Sequence, residues 1–189
     1  MNLPLLWSVL FWLWIALEVW VAVAKRARKA DSAGKDRGSK TLLWVVIAAS
    51  MTASGFLRYR GLAPMHAAED ALKLGAICIM VLGLALRLAA ILNLGRSFTG
   101  EVATRSDQRL NRTGLYGVVR HPSYLGMLIV FLAVAVHARD WVCLAVVLVP
   151  TTLALLYRIH VEEQALRELF GAEYDDYCRT TKRLVPGIY

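Results

Sequence analysis

Two short clusters in this chain hold residue types that could do chemistry together. The first is Arg120, His121, Pro122, Ser123 and Tyr124, inside the run RTGLYGVVRHPSYLG from Arg112 to Gly126; the second is Arg158 followed by Glu162 and Glu163. Pro122 has a fixed φ and no N–H, and it pushes His121 toward extended backbone, so a helix can begin at Pro122 but hardly run through it. The apolar run behind it, Ser123 to Ala138, then starts with unpaired N–H groups and a positive dipole end beside Arg120 and His121. Such a terminus attracts a carboxylate or a phosphate. A plain Pro-initiated span with a basic flank has the same local sequence, so this run alone does not decide between the two. In the second cluster Arg158 and Glu162 are four apart and share a helix face. Paired acids where a span leaves an anionic membrane surface are poorly placed unless something cationic sits against them.

The elements that must position these clusters are membrane spans. The chain has 189 residues, of which 58% are hydrophobic, with six Trp, and a mean hydropathy of +0.50. That is room for one domain, 1–189, too apolar for an ordinary soluble protein. The net charge of +8 is explained by basic residues flanking spans, so no nucleic-acid partner is expected. Met1 to Ala24 lacks the charged n-region and cleavage site of a signal peptide and is expected to remain as a span. Cys78, Cys143 and Cys178 are far apart, with no His at zinc-ligand spacing, so neither a metal site nor a disulfide framework is expected.

Five spans are predicted, making an all-α polytopic bundle with a cytoplasmic C-terminal helical segment. Leu3 to Ala24 is the first, about 33 Å at 1.5 Å per residue. Thr41 to Leu57 is the second, broken by Ser54 and Gly55, and Ala71 to Leu94 the third. Pro122 to Ala138 is the fourth, a tight turn follows over His137 to Asp140, and Trp141 to Tyr157 is the fifth, kinked at Pro150. Residues 1–70 hold the first two spans, and 71–189 the part that carries the two clusters. If Lys25 to Lys40 is cytoplasmic, this loop, Gly95 to His121 and the tail from Arg158 carry 17 of the 22 Lys and Arg. The opposite side keeps Arg58, Arg60, Lys73 and Arg139. The positive-inside rule then puts the start of the chain outside and both clusters in the cytoplasm.

Beyond the fifth span, Leu166, Phe170, Tyr174 and Tyr177 form an apolar stripe expected to lie on the bilayer, with Gly171 separating two short helices. Glu18 lies seven residues before Lys25, and Arg87 nine before Arg96. Both therefore sit about 10 to 14 Å below the boundary, where charges pair or serve a site. A Glu18–Arg87 pair is expected, with Arg87 lining an acceptor cavity as the lesser alternative.

Taken together, RHPSYLG, Arg158, EEQAL from Glu162, FGAEYDDY from Phe170 and a closing Pro186 resemble the isoprenylcysteine carboxyl methyltransferase family. LGRSF, Leu94 to Phe98, is similar to its bacterial members, and the resemblance covers roughly Leu84 to Pro186. It implies an integral membrane enzyme, of bacterial type and inner-membrane location, that moves a methyl group from S-adenosylmethionine to a lipophilic acceptor. Carried over by position, Tyr116, His121, Pro122, Ser123, Tyr124 and Glu162 would line the cofactor site, with Gln108, Arg109, Leu110 and Asn111 folding over it. Arg158 would face the acceptor as the catalytic residue.

The chemistry of the residues agrees with those roles. S-adenosylmethionine brings a carboxylate, an ammonium, an adenine and a sulfonium, and the helix start with His121, Glu162, Tyr116 and Tyr124 supply matching groups. A carboxylate acceptor is already ionised near pH 7 and needs no general base, only an orienting cation such as Arg158. Phospholipid N-methyltransferases share the signature, but an amine acceptor must lose a proton, and Glu163 could serve there. Sterol reductases of related architecture are a weaker alternative. A scaffold protein without activity is the reading from a different class.

Overall fold

A computed structural model describes residues 2–26, 38–94 and 110–189. Among them are six α-helices: α1 (Leu3–Arg26), α2 (Ser39–Leu57), α3 (Glu69–Leu94), α4 (Pro122–Ala138), α5 (Trp141–Phe170) and α6 (Ala172–Thr180). A 3-10 turn, Gly114–Gly117, precedes α4. Four helices, α1, α2, α3 and α5, are long and apolar enough to cross a membrane. The 17 residues of α4 rise only about 26 Å at 1.5 Å each. The outward faces carry Trp12, Val45, Leu82, Leu92 and Leu153, each at least 60% exposed. Such an apolar coat is stable only in lipid, so the bundle is an integral membrane protein.

The interior is built where α3 packs along α4 and α2 along α5. Trp14, Met80, Met127, Phe131 and Leu155 are buried there in one cluster. Two glycines set the α3–α4 distance. A Cβ on Gly126 would lie 2.7 Å from the backbone N of Arg87, and one on Gly83 would lie 2.8 Å from the backbone N of Val130. Backbones can approach this closely only where no side chain intervenes. The last residue of the RHPSYLG run is therefore a spacer that brings Arg87 against the start of α4.

Several boundaries differ from the sequence expectation. α2 runs unbroken through Ser54 and Gly55, because the buried Ser54 faces α5, where its carbonyl accepts from Cys143 Sγ at 3.6 Å. α5 continues through Pro150 and beyond Tyr157 as one 30-residue helix. Gly171, at φ 53, ends α5 and starts α6, so it does not separate two short tail helices. The tight turn after α4 is present, with Arg139 at φ 58 and Asp140 accepting from the backbone N–H of Val142 (2.8 Å) and Cys143 (3.1 Å) at the head of α5. Tyr174 and Tyr177 are 0% and 3% exposed. This half of the stripe packs on protein and not on lipid: α6 folds back toward the 3-10 turn, where the Tyr177 hydroxyl donates to the Tyr116 carbonyl.

Candidate active site

At the head of α4, Pro122 occupies the first turn and His121 precedes it at φ −127, with no side chain capping the helix start. The chain that follows α6 runs alongside as a short extended segment. Arg120 N–H donates to the Lys182 carbonyl (2.8 Å) and His121 N–H to the Arg183 carbonyl (3.0 Å), with a parallel bridge between Val119 and Lys182. The C-terminal segment thus holds the Arg120–His121 dipeptide from one side while α5 holds it from the other.

The α5 contact is made by Glu163, which is 1% exposed. Its Oε1 accepts from Arg120 Nε at 2.9 Å and lies 3.3 Å from His121 Nε2. Its Oε2 accepts from Arg183 Nε at 3.0 Å, with Arg183 Nη2 at 2.8 Å. Both carboxylate oxygens are therefore occupied by cations, which is what the placement of two adjacent acids required. Removing such a carboxylate would strand two guanidinium groups, a cost of about 3–5 kcal/mol.

Glu162, its neighbour, points elsewhere and keeps 29% of its side chain exposed. The Tyr124 hydroxyl donates to Glu162 Oε2 at 2.7 Å and lies 3.3 Å from Arg158 Nε, which donates to it. Arg158 is 3% exposed; its Nη1 donates to Ser39 Oγ at 2.7 Å, and its Nε is 3.9 Å from Glu162. One run of polar contacts thus joins α2, α4 and α5. Among the described residues Glu162 Oε1 has no hydrogen-bond partner. It is open to a cation.

Tyr116 lies in the 3-10 turn, 7% exposed, with its hydroxyl donating to the Ala90 carbonyl at 3.3 Å. Burial first, then the negative charge of Glu162, raises its phenol above the usual value. Burial pushes Tyr177 up to about 12. Both rings are neutral donors near pH 7. Asn111 donates from Nδ2 to the Asn93 carbonyl at 3.1 Å and accepts from Thr113 N–H at 3.0 Å. This loop is thereby tied to the end of α3. Gly114, at φ 57, lies so close to Asn93 that a Cβ would meet Nδ2 at 2.6 Å.

Of the residues expected from the sequence, Tyr124, Glu162 and Arg158 meet directly, and His121 turns to Glu163. Asn111 stands beside α3, Leu110 precedes it half-buried, and Gln108 and Arg109 lie outside the described residues. Arg87 donates from Nε and Nη2 to the two oxygens of Glu18 at 2.9 and 2.8 Å, and from Nη1 to Ser123 Oγ at 2.7 Å and Ser123 O at 3.1 Å. The expected Glu18–Arg87 pair is formed. An acceptor contact by Arg87 would compete with these bonds. Sequence reasoning did not foresee the parts played by Arg120, Arg183, Ser39 and Tyr177; the one available signal was the need of two adjacent acids for cations.

The class defined by this fold and site is a helical membrane protein with a polar cluster at one end, built from the heads and tails of α4 and α5. Comparison with known proteins shows which family it resembles. A model described as the isoprenylcysteine carboxyl methyltransferase (ICMT) family matches residues 76–168, which contain Arg87, the RHP segment, Arg158 and both acids. Protein-S-isoprenylcysteine O-methyltransferase B of Arabidopsis thaliana is 32% identical over 114 residues, 59% of this chain and 58% of that protein. The Saccharomyces cerevisiae protein-S-isoprenylcysteine O-methyltransferase is 35% identical over 101 residues, 52% of this chain and 42% of that protein. A solved structure of the eukaryotic intramembrane Ras methyltransferase ICMT superposes with a TM-score of 0.59 at 27% identity, covering 77% of this chain and 52% of that one. The chain thus spans about half the length of the relatives it matches, and over residues 76–168 it is similar to the isoprenylcysteine carboxyl methyltransferase family.

The residues present fit the methyl donor this family implies. A half-exposed carboxylate with one oxygen open suits an ammonium or sulfonium. The start of α4, without a side-chain cap, suits a carboxylate. The ring of Tyr124, 5.7 Å from that of His121 in a stacked pair, adds a flat surface.

Proposed function

We propose that this protein methylates the carboxylate of a lipophilic, prenylcysteine-like acceptor, with S-adenosylmethionine as donor. The observation that carries the reading is the Tyr124–Glu162 hydrogen bond with Arg158 on the same hydroxyl, because it brings the two motif segments into direct contact. Glu162, Tyr124, the start of α4 and the 110–116 loop would hold the donor, which when bound supplies an electrophilic methyl group on a sulfonium. Glu162 holds the cationic end, and the Ser123 end of α4 the anionic one. Arg158, planar and permanently charged, orients the acceptor carboxylate. No residue has to remove a proton, since that carboxylate is ionised near pH 7. The buried walls exclude water from the reacting groups.

An amine acceptor would need a proton acceptor beside it. Glu163 was the residue available for that task, and its oxygens are committed to Arg120, His121 and Arg183. This favours the carboxylate. The distribution of Lys and Arg supports a cytoplasmic active end, and the LGRSF segment supports a bacterial inner-membrane setting. The test is a labelled-methyl assay on membranes offered prenylcysteine analogues, phospholipids and quinone-like acids in parallel. A base-labile product on the prenylcysteine analogue is expected. A base-stable product on a phospholipid would replace this reading with N-methylation.

A further inference from the structure

At the other end of the bundle, about 24 Å from Pro122 along the rise of α4, lies a cavity of about 210 Å³. It is lined by Leu3, Trp7, Arg58, Lys73, His137 and Arg139, among others. We propose that this cavity binds an anionic phosphate group, carried by the headgroup of an acidic phospholipid. Of the four Lys and Arg that the sequence places at this end, Arg58, Arg60, Lys73 and Arg139, three converge on the one cavity. They come from separate segments, the end of α2, the first turns of α3 and the turn after α4, so local sequence does not account for their meeting.

The charges there are unevenly matched. Glu69 pairs with both Lys73, at 2.8 Å, and Arg139, while Asp70, 86% exposed, lies 3.8 Å from Lys73. Arg58 has no acid against it among the described residues and meets only the Tyr59 ring, at 5.9 Å. His137 stacks on Trp7 with ring centroids 3.8 Å apart, and its Nδ1, shielded from solvent, has no hydrogen-bond partner. An oxyanion would accept from Arg58 and from the Nδ1–H of the neutral imidazole, meeting both needs at once. Leu3, Pro4 and Ile77 on the same wall give the ester carbons an apolar seat. The volume is several times the ~30 Å³ share of one water. Basic pockets between membrane helices bind lipid phosphates by this combination of cations and apolar wall.

The test does not depend on the methyltransferase reading. Thermal unfolding of the purified protein in a neutral detergent is followed with dihexanoyl phosphatidylglycerol, dihexanoyl phosphatidylcholine or inorganic phosphate added. Phosphatidylglycerol is expected to raise the midpoint by several degrees in the wild type and in R60Q, which lies off the cavity, and by less than half as much in R58Q and K73Q. R58Q breaks no acid pair among the described residues and so should remain folded. A rise with phosphatidylglycerol but none with inorganic phosphate supports a lipid ligand. An equal rise with both supports the oxyanion site and assigns it to a free anion. Equal shifts in R58Q, K73Q and wild type, or equal shifts with phosphatidylcholine, would overturn the proposal.

Discussion

Arg87 and Glu18 meet inside the bundle through two hydrogen bonds of 2.9 and 2.8 Å, although they stand 69 positions apart in the chain. Both are at most 6% exposed. The remaining Nη of Arg87 reaches Ser123, so the pair ties α1 to the start of α4. Replacing either partner alone leaves a buried charge uncompensated, at a cost of about 3–5 kcal/mol. Glu18→Gln and Arg87→Gln should each lower the unfolding midpoint in detergent, and the double variant should lose at least ~1 kcal/mol less than the sum. Additive losses would show that the two groups are not coupled.

Gly126 makes a sharper steric prediction. A methyl group there meets backbone atoms of Arg87 at 2.7 and 2.9 Å, and backbone cannot rotate away as a side chain can. Gly126→Ala should therefore cost about 1–3 kcal/mol, and methyl transfer should fall with it as α3 is pushed off α4. Gly75→Ala has nothing within 4 Å of the new carbon and should leave both stability and activity close to wild type. Thermal unfolding of the two variants side by side separates these outcomes.

Asp140 provides a pH dependence of defined sign. Burial alone would raise its carboxyl, but the backbone N–H groups of Ala63, Cys143 and Val142 outweigh it and hold the group below its ordinary value. Its contribution to stability is thus complete above the unfolded value near ~3.9 and is lost as pH falls through the lower folded value. Asn can still accept from the helix N–H groups but carries no charge. The difference in unfolding midpoint between wild type and Asp140→Asn should be constant from pH 7 to 5 and should shrink below about pH 4. A difference that widens on acidification would contradict this assignment.

Much of this architecture was legible in the sequence wherever the cause was local. Pro122 announces a helix start, the Lys and Arg distribution divides the two ends, and the shared depth of Glu18 and Arg87 points to their pairing. What escaped was non-local. Arg158 reaches Ser39 across 119 residues, and a serine at the head of a span reads only as a cap. Arg183 reaches Glu163 because Gly171, at φ 53, lets the chain turn into α6 and return along Val119 and Arg120. The apolar stripe at Tyr174 and Tyr177 specified a buried face without specifying what buries it. Amphipathic periodicity fixes which side of a helix is covered, and protein and lipid satisfy it equally.

The central claim is that Tyr124 and Glu162, 38 residues apart and joined by a 2.7 Å hydrogen bond, form a wall of the methyl-donor pocket. The most direct measurement is calorimetry of S-adenosylmethionine binding to the purified protein in detergent, comparing wild type with Glu162→Ala and Tyr124→Phe. Glu162 accepts the hydrogen bond without being buried, so its removal should spare the fold while abolishing saturable binding. Tyr124→Phe, which keeps the ring and loses about 1 kcal/mol of hydrogen bonding, should weaken binding several-fold. Binding by Glu162→Ala as tight as by the wild type, or no saturable binding by the wild type at all, would contradict the assignment.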